Sequence, residues 1–295
     1  MELVSNYMHN DLLRQELNAL TRRTFGFDFE DWVRGGFCGE DYLPYSFREE
    51  GRVVANVSVN RMIFVQNGVE KRYFQLGTVM TEETYRRRGL ARRLVEQVLR
   101  SYERAGDGVY LFGNMDALDF YRKLGFHELL QYAYTLRPGA VQAEGRPFRP
   151  VKEEPSALWE RYVRAVRNGS CFSSLEQKNR YGLQMFYTAG GDNVWYSDDL
   201  DCFAVLEEEK KEKEESLLTL VGVAGERKVP LGAVLARLEL RGRPVRLGFS
   251  PLAEDAPLFE NVPFDGGEDY RLFYRGAELE SIPRERLYFP LLSHA

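Results

Sequence analysis

The sequence predicts a mixed α/β (α+β) protein built from two domains. Its 295 residues favour two domains and are enough to bury a sizeable core. Residues 74–104 read as a buried strand, a loop with one glycine and an amphipathic helix. Just before them, Asn67-Gly68 lies between two apolar runs and predicts a β-hairpin. Strands and helices therefore follow one another within the first half of the chain.

Apolar periodicity and turn residues give the elements of the first half in order. Helices are predicted at residues 11–24 and, as a short helix or turn, at 25–32. Strands follow at 41–47, at 53–64, where polar and apolar residues alternate, and at 69–76, which runs on into the strand at 74–80. The chain continues with a helix from Leu90, a strand at 109–112, a helix within 117–126 and a strand at 129–136.

A segment rich in proline and small residues divides the chain. Residues 138–150 predict a linker between a first domain, 1–137, and a second domain, 151–295. In the second domain, helices are predicted at 156–167 and 229–240, and strands at 193–206, 216–223, 243–249, 270–274 and 286–292. The charge run at 207–215 predicts a solvated hairpin tip.

Composition restricts the partners and the compartment. The formal net charge of −5 argues against broad binding to nucleic acid or anionic membranes and suits a cationic substrate. Three cysteines without metal-like spacing favour a reducing compartment, so we expect a cytoplasmic protein. Three histidines are too few for a His-rich metal site, and we expect no metal. We also expect no signal peptide and no membrane span, because no suitable apolar run occurs.

The loop before the helix at Leu90 predicts a phosphate site. It reads Arg86-Arg87-Arg88-Gly89-Leu90-Ala91. A helix start exposes unpaired backbone N–H groups and the positive end of the helix dipole. Gly89 lets the backbone approach a ligand closely, and the small Ala91 keeps the first turn open. The arginines add charge that matches a polyphosphate.

Two motifs in the same order resemble the GNAT N-acetyltransferase family. Arg86-x-x-Gly89-x-Ala91 matches its Gln/Arg-x-x-Gly-x-Gly/Ala pyrophosphate loop, and residues 117–126 resemble its Ala-x-x-Phe-Tyr-x-x-x-Gly-Phe segment. The resemblance implies a GNAT fold for the first domain, with a mixed, mostly antiparallel central sheet flanked by helices. It also implies transfer of an acetyl group from acetyl-CoA to a primary amine of a small substrate, by direct attack in a ternary complex.

The same resemblance implies site residues. Tyr121 matches the tyrosine that protonates the leaving thiolate, the backbone N–H of Val79 would polarise the thioester carbonyl, and Asn114 lies where family members contact the pantetheine or a bridging water. The expected catalytic residues are Tyr121, Asn114 and Ala295. The expected acetyl-CoA-binding residues are Thr78, Val79, Met80, Arg86, Arg87, Arg88, Gly89, Leu90, Ala91, Asn114, Phe120 and Tyr121.

The general base is where this sequence departs from part of the family. Several members place a glutamate on the strand before the loop, whereas residues 74–80 contain no carboxylate. Eis-like acetyltransferases, which join an active GNAT unit to a degenerate one, are thought to use their C-terminal carboxylate, so Ala295 is a candidate. The apolar residues before Ala295 would also be expected if the tail only packed against the second domain. Water held by Asn114, bulk water and His294 are the other options for the base.

Residues 25–45 are where we expect the acceptor site, because the family builds that wall from its first helices. Carboxylates beside aromatic rings suit an ammonium group through charge and cation–π attraction. The expected acceptor-binding residues are Asp28, Glu30, Asp31, Trp32, Tyr42 and Tyr45. Core aromatics with solvated carboxylates would give the same pattern.

The second half resembles a GNAT unit only in the order of its elements. No Arg-x-x-Gly-x-Gly/Ala occurs between Val221 and Leu231, so we expect a degenerate unit, with a small unrelated α+β domain as the alternative. Two other functions stay open: a CoA-binding sensor or interaction protein that has lost its chemistry, and a protein-lysine acetyltransferase. The sequence leaves the oligomeric state open, with a homodimer among the options.

Overall fold

The computed structural model describes residues 1–209, 216–240 and 242–295. The first half contains β1 Glu2–Ser5, α1 Asp11–Phe25, α2 Glu30–Arg34, β2 Tyr42–Glu49, β3 Arg52–Gln66, β4 Val69–Thr81, α3 Leu90–Tyr102, β5 Gly108–Asn114, α4 Leu118–Lys123, β6 His127–Glu128 and β7 Gln131–Leu136. The second half contains β8 Arg149–Pro150, α5 Pro155–Asn168, β9 Leu175–Gln177, α6 Tyr181–Thr188, β10 Val194–Ser197, β11 Cys202–Glu209, β12 Leu217–Ala224, α7 Leu231–Ala236, β13 Val245–Leu247, β14 Phe259–Phe264, β15 Tyr270–Arg275 and α8 Ser281–Arg284.

Most elements of the first half follow their local signals. The helix α1 begins after Asn10, whose side chain accepts a hydrogen bond from Leu13 N–H, and ends at Gly26 with a φ of +81°.

In the second half, the prediction of a strand at 286–292 is wrong, because α8 is followed by irregular backbone and a short 3₁₀ turn there. Of the predicted hairpin tip, residues 207–209 extend β11, and 210–215 lie outside the described residues.

The first sheet has eight strands in the order β1-β2-β3-β4-β5-β15-β6, with β9 paired to β3. Every pairing is antiparallel except that of β4 with β5, so the sheet is mixed and mostly antiparallel, as the GNAT resemblance implies. On one face α3 buries Leu94 and Val98 against Val57 of β3. On the other face α1 and α2 bury Leu17 and Trp32.

The parallel pair of the first sheet opens after a short register. Residues 73–76 of β4 pair with 108–111 of β5, and the two strands part beyond that point. There β4 carries a β-bulge, since Ser58 of β3 lies opposite Gly77 while Asn56 lies opposite Met80. Thr78 in the bulge has a φ of +43°, a conformation that a β-branched residue rarely adopts. A gap therefore forms between the strands beside a distorted stretch of backbone.

The second sheet repeats this topology. Its seven strands run in the order β14-β7-β13-β12-β11-β10-β8. The strands β10, β11 and β12 are antiparallel neighbours, α7 follows, and β13 returns parallel to β12. The order of elements and the single parallel pair match those of the first sheet. The helix α7 starts after Pro230, whereas α3 has Gly89 at its N-cap, so the glycine-capped loop before α3 has no counterpart before α7.

The two sheets exchange one strand each. β7, from the first half, lies between β13 and β14 of the second sheet, and β15, from the second half, lies between β5 and β6 of the first. The strand predicted at 129–136 within the first domain forms, but it pairs in the second sheet, so the division at 138–150 cuts across both sheets. Alternating apolar residues specify a strand but not its neighbours, which explains the error.

The C-terminal segment runs past both parallel pairs. Leu291 donates its N–H to Gly248 O at 2.8 Å, just beyond β13. Leu292 packs over β12 so closely that a Cβ added to Gly222 would lie 2.9 Å from its Cδ1. The chain then reaches β4, where a Cβ added to Gly77 would lie 2.6 Å from both C and O of Ala295. The last residue thus ends beside the gap in the first sheet.

Within the described ranges, no helix combines the length and apolar character needed to cross a membrane. Nor do three or more His, Cys, Asp or Glu side chains gather there as a metal site would require.

Candidate active site

The loop before α3 presents backbone and positive charge at a helix start. Gly89 is the N-cap residue with a φ of +74°, and a Cβ added there would meet no atom within 4 Å. The side chains of Arg86, Arg87 and Arg88 are exposed, and within the described ranges none of them forms an ion pair. Leu90 is buried in the core, so only its backbone can face a ligand. This open, positive helix start fits a polyphosphate.

A cavity of about 310 Å³ lies where β4 and β5 part, and we call it the splay cavity. Its β4 lining consists of Leu76, Gly77, Thr78 and Val79. The other lining residues are Phe25, Ala91, Phe112, Asn114, Ala117, Phe120, Tyr121 and Ala295. Most of the predicted acetyl-CoA residues outside the loop are therefore brought together here, namely Thr78, Val79, Asn114, Phe120 and Tyr121. Met80 is an exception, because it is buried in the core beside Tyr42 and Val53.

Tyr121 reaches the splay cavity from α4. Its ring packs against Phe126 and Phe273, and a Cβ on Gly113 would come within 2.9 Å of it, so the glycine makes room for the ring. Burial raises the pKa of Tyr121 to about 12. No hydrogen bond in the described part of the chain uses its hydroxyl. The phenol is therefore protonated at neutral pH and available as a proton donor.

A chain of buried polar groups holds the bulge in β4. Tyr42 Oη and Ser58 Oγ each lie 2.8 Å from Thr78 Oγ1. Asn56 donates to the Thr78 carbonyl at 2.9 Å and accepts from Ser46 Oγ at 2.7 Å. These groups satisfy one another away from water, so the network stabilises a backbone conformation that Thr78 alone would disfavour.

Ala295 lies at the same place. Ala295 packs on Gly77 and lines the splay cavity. With its amide oriented by hydrogen bonding, the Gln75 side chain donates to Ser293 O at 2.9 Å and accepts from Ala295 N–H at 3.1 Å. Tyr187 Oη donates to His294 O at 2.8 Å. These contacts bind the last residues on both sides, so the tail is held in position.

His294 is poorly suited to act as a base. Its ring stacks on Phe112 with a centroid separation of 3.6 Å, and its Nε2 has no hydrogen-bond partner in the described part of the chain. Burial lowers the pKa of His294 to about 3, so the ring is neutral at physiological pH and has little affinity for a proton.

A second cavity, also of about 310 Å³, lies on the other side of Ala295, and we call it the aromatic cavity. Its aromatic lining consists of Phe25, Phe27, Phe29, Trp32, Tyr42, Phe186 and Tyr187. The remaining lining residues are Thr78, Leu183, His294 and Ala295. Phe25, Thr78 and Ala295 line both cavities. Ala295 and the β4 bulge therefore separate two adjoining spaces.

Of the predicted acceptor residues, Trp32 and Tyr42 line the aromatic cavity, and the others do not. Asp28 accepts from Glu30 N–H at 2.8 Å and from Arg22 Nε at 2.6 Å, and these bonds hold the pKa of its carboxyl below the usual range. Glu30 accepts from Arg14 and Asn18 inside the first unit.

The remaining predicted acceptor residues also point elsewhere. Asp31 is exposed on α2. Tyr45 lies three residues from Tyr42 on β2, so its side chain is on the opposite face of the sheet, where its hydroxyl lies 2.8 Å from that of Tyr102 on α3. The predicted carboxylates Asp28, Glu30 and Asp31 therefore lie outside the lining of the aromatic cavity.

The sequence does not predict the wall of the aromatic cavity that α6 contributes. Leu183, Phe186 and Tyr187 come from this helix of the second half, which is fixed to the first half by a hydrogen bond of 2.7 Å from Trp32 Nε1 to Gly182 O. The apolar spacing within residues 181–188 could have indicated a helix. No local signal could have shown that it packs against α2.

Residues 6–126 match the family model of the acetyltransferase (GNAT) family. The match spans the phosphate loop, the β4 bulge and Tyr121. The chain therefore carries a GNAT acetyltransferase domain, and the protein is an acyltransferase of this class. A comparison with curated proteins gives no sequence match.

Solved structures match the fold over both units. A conserved protein of unknown function from Enterococcus faecalis V583 aligns over 94% of this chain and 73% of its own, at 13% identity and a TM-score of 0.56. A GCN5-related N-acetyltransferase from Kribbella flavida aligns over 95% and 73%, at 17% identity and 0.54. Eis1 from Mycobacterium abscessus aligns over 95% and 75%, at 14% identity and 0.53. At these identities the likeness concerns the fold and carries nothing about the substrate.

Proposed function

We propose that this protein transfers the acetyl group of acetyl-CoA to the primary amine of a small substrate. The observation that carries the proposal is the meeting of three groups at one gap. Tyr121, the bulged backbone at Thr78 and Val79, and the C-terminal carboxylate all line the splay cavity. A proton donor, backbone N–H groups and a carboxylate are what acyl transfer to an amine requires.

The residues present fit acetyl-CoA, which supplies the acetyl thioester when it is bound. Arg86, Arg87, Arg88 and the N–H groups after Gly89 hold its pyrophosphate, because they offer unpaired positive charge at an open helix start. The splay cavity receives its pantetheine arm between β4 and β5. The N–H of Val79 orients the thioester carbonyl.

Proton transfers are assigned to the chain's own groups. The Ala295 carboxylate takes a proton from the acceptor ammonium, so that a neutral nitrogen can attack. The new C–N bond forms as the C–S bond breaks, and Tyr121 Oη gives its proton to the departing sulfur. The acylated nitrogen then loses its second proton, which returns through solvent to the Tyr121 phenolate, so the donor is restored. Asn114, at the end of β5, holds a water molecule beside the reacting groups.

The aromatic cavity is the acceptor site in this proposal. It adjoins the splay cavity at Thr78 and Ala295, and α6 forms its outer wall. A wall there suits a small amine better than a lysine carried on a folded protein. We assign the reaction to the cytoplasm, because the three cysteines are unpaired.

An acceptor screen with purified protein and acetyl-CoA tests the proposal, read by thiol release and product mass. Acetylation of a small amine is the expected result. Acetylation of peptides alone would support the protein-lysine function instead. Acetyl-CoA binding without transfer to any acceptor would favour the sensor.

A further inference from the structure

The aromatic rings that form the walls of the aromatic cavity indicate which kind of acceptor it can bind. The rings that form them pack on one another: Phe186 lies 5.5 Å from Phe27, 5.8 Å from Trp32 and 6.1 Å from Phe29, measured between ring centroids. This mutual packing fixes the rings and leaves a rigid apolar surface.

The polar tips of these walls are already used by the protein. Trp32 Nε1 donates to Gly182 O, Tyr187 Oη donates to His294 O, and Tyr42 Oη belongs to the network around Thr78. A polyhydroxylated or polyamino ligand would therefore meet few free donors or acceptors. Its polar groups would lose their water without gaining partners, which is unfavourable.

Charge in the cavity is concentrated at one point. Among the described residues that line it, only the Ala295 carboxylate carries a formal charge at neutral pH, because His294 is neutral. The nearby Asp28 and Glu30 are paired with Arg22 and Arg14 outside the cavity. One ammonium group can therefore be paired, and a second one inside the cavity cannot.

The mouth of the cavity also exposes apolar surface. Phe25 is 41% exposed and Tyr187 is 40% exposed, and both line the cavity. Large apolar side chains exposed at the rim of a cavity are typical of a binding site for an apolar ligand.

We propose that the acceptor is a primary monoamine that carries an aromatic or alkyl group. Its ammonium pairs with the Ala295 carboxylate, and its apolar part packs against Phe27, Phe186 and Trp32. Polyamines and aminosugars are excluded by the cost of burying their additional polar groups. This inference rests on the proposed function, because it takes the aromatic cavity as the acceptor site.

A pair of amines matched in length tests it. Hexylamine and 1,6-diaminohexane differ only in the second amino group, and 2-phenylethylamine and an aminoglycoside extend the comparison. We expect kcat/KM for hexylamine and 2-phenylethylamine to exceed that for the diamine and the aminoglycoside by about tenfold or more. An equal or higher kcat/KM for the diamine or the aminoglycoside would overturn the inference.

A variant with a new charge on the wall makes the test specific to this cavity. Phe186→Glu places a carboxylate on α6, and we expect it to lower the hexylamine to diamine ratio by about tenfold. Phe186→Leu keeps the wall apolar and serves as the control. We expect this variant to retain the preference for hexylamine over the diamine. An unchanged ratio in a folded Phe186→Glu protein would contradict the assignment of the wall.

Direct binding separates this inference from the proposed function. Binding of hexylamine and of the diamine to the CoA-loaded wild-type protein is compared by NMR saturation transfer, which needs no turnover and no variant. Absence of thiol release with every amine would refute the proposed function. Tighter binding of the diamine, or equal binding of both, would refute the inference whether or not the protein turns over.

Discussion

Tyr121 is the residue whose role is easiest to isolate. Tyr121 lines the splay cavity, and its hydroxyl forms no hydrogen bond in the described part of the chain, while its ring is fixed by Phe126 and Phe273. We expect Tyr121→Phe to lower kcat by about 10²-fold, because the departing sulfur loses its proton donor. Calorimetry should find acetyl-CoA affinity within about twofold of wild type.

Tyr274→Phe is the matched control for that substitution. Tyr274 lies on β15 and lines neither cavity, and its hydroxyl contacts Glu280 at 3.4 Å. Wild-type thiol release is expected from this variant. Full turnover in Tyr121→Phe would show that the proton comes from elsewhere.

The pH dependence of the reaction follows from two perturbed groups. Burial raises the pKa of Tyr121 to about 12, so the donor stays protonated up to about pH 10 and causes no alkaline loss below it. Burial lowers the pKa of His294 to about 3, so this ring does not change charge between about pH 5 and 8.

We therefore expect kcat/KM to show no inflection from His294 between about pH 5 and 8, with the same profile in His294→Gln. Initial rates with hexylamine from about pH 5 to 10 measure this. An inflection near neutral pH that disappears in His294→Gln would identify His294 as the base.

The free carboxylate of Ala295 can be tested without changing a side chain. A C-terminal amide, introduced by peptide ligation, keeps the length of the tail and removes its charge. We expect kcat/KM to fall by about 10²-fold at neutral pH, since the acceptor loses both its ion pair and its base. Ala295→Gly with a free carboxylate should keep most of the activity. Wild-type rates in the amidated protein would assign the tail to packing alone.

At the scale of elements, the start of α3 depends on one backbone conformation. Gly89 has a φ of +74° and open space around it, so a side chain there is opposed by the backbone and not by a neighbour. Gly89→Val should weaken acetyl-CoA binding about tenfold, because a β-branched residue resists this conformation. Gly89→Asn should bind closer to wild type, since asparagine tolerates it. Equal affinities in calorimetry would show that the turn is not required.

Helix α6 illustrates the limit of sequence reasoning about elements. The site residues of the first half lie next to their motifs along the chain, and Thr78, Val79 and Tyr121 line one cavity as their spacing suggests. Phe186 lies more than 150 residues from Trp32 in sequence, and their rings are 5.8 Å apart. Packing between distant apolar faces is not encoded in any local pattern.

At the scale of the whole molecule, the strand exchange makes each sheet depend on both halves. β15 supplies the neighbour of β5, and β7 lies between β13 and β14. We expect fragments 1–150 and 151–295, expressed separately, to lack cooperative thermal unfolding, because each would expose unpaired strand edges and apolar surface.

Full-length protein should instead unfold in a single calorimetric transition, and the two fragments should regain structure when they are produced together. A folded fragment 1–150 that binds acetyl-CoA alone would contradict this expectation.

The sequence by itself determined the class of the protein and one side of its site. Gly89 lies at a turn, Val79 near the end of a strand and Tyr121 on a short helix, and adjacent residues specify each of these positions. Tertiary structure alone decided the rest: which sheet each of β7 and β15 joins, that α6 forms a wall of the aromatic cavity, and that Ala295 ends beside Gly77. These features depend on contacts between segments that are distant in sequence. Such contacts are stabilised by burial of apolar surface between packed elements, and these packed surfaces exist only in the folded protein.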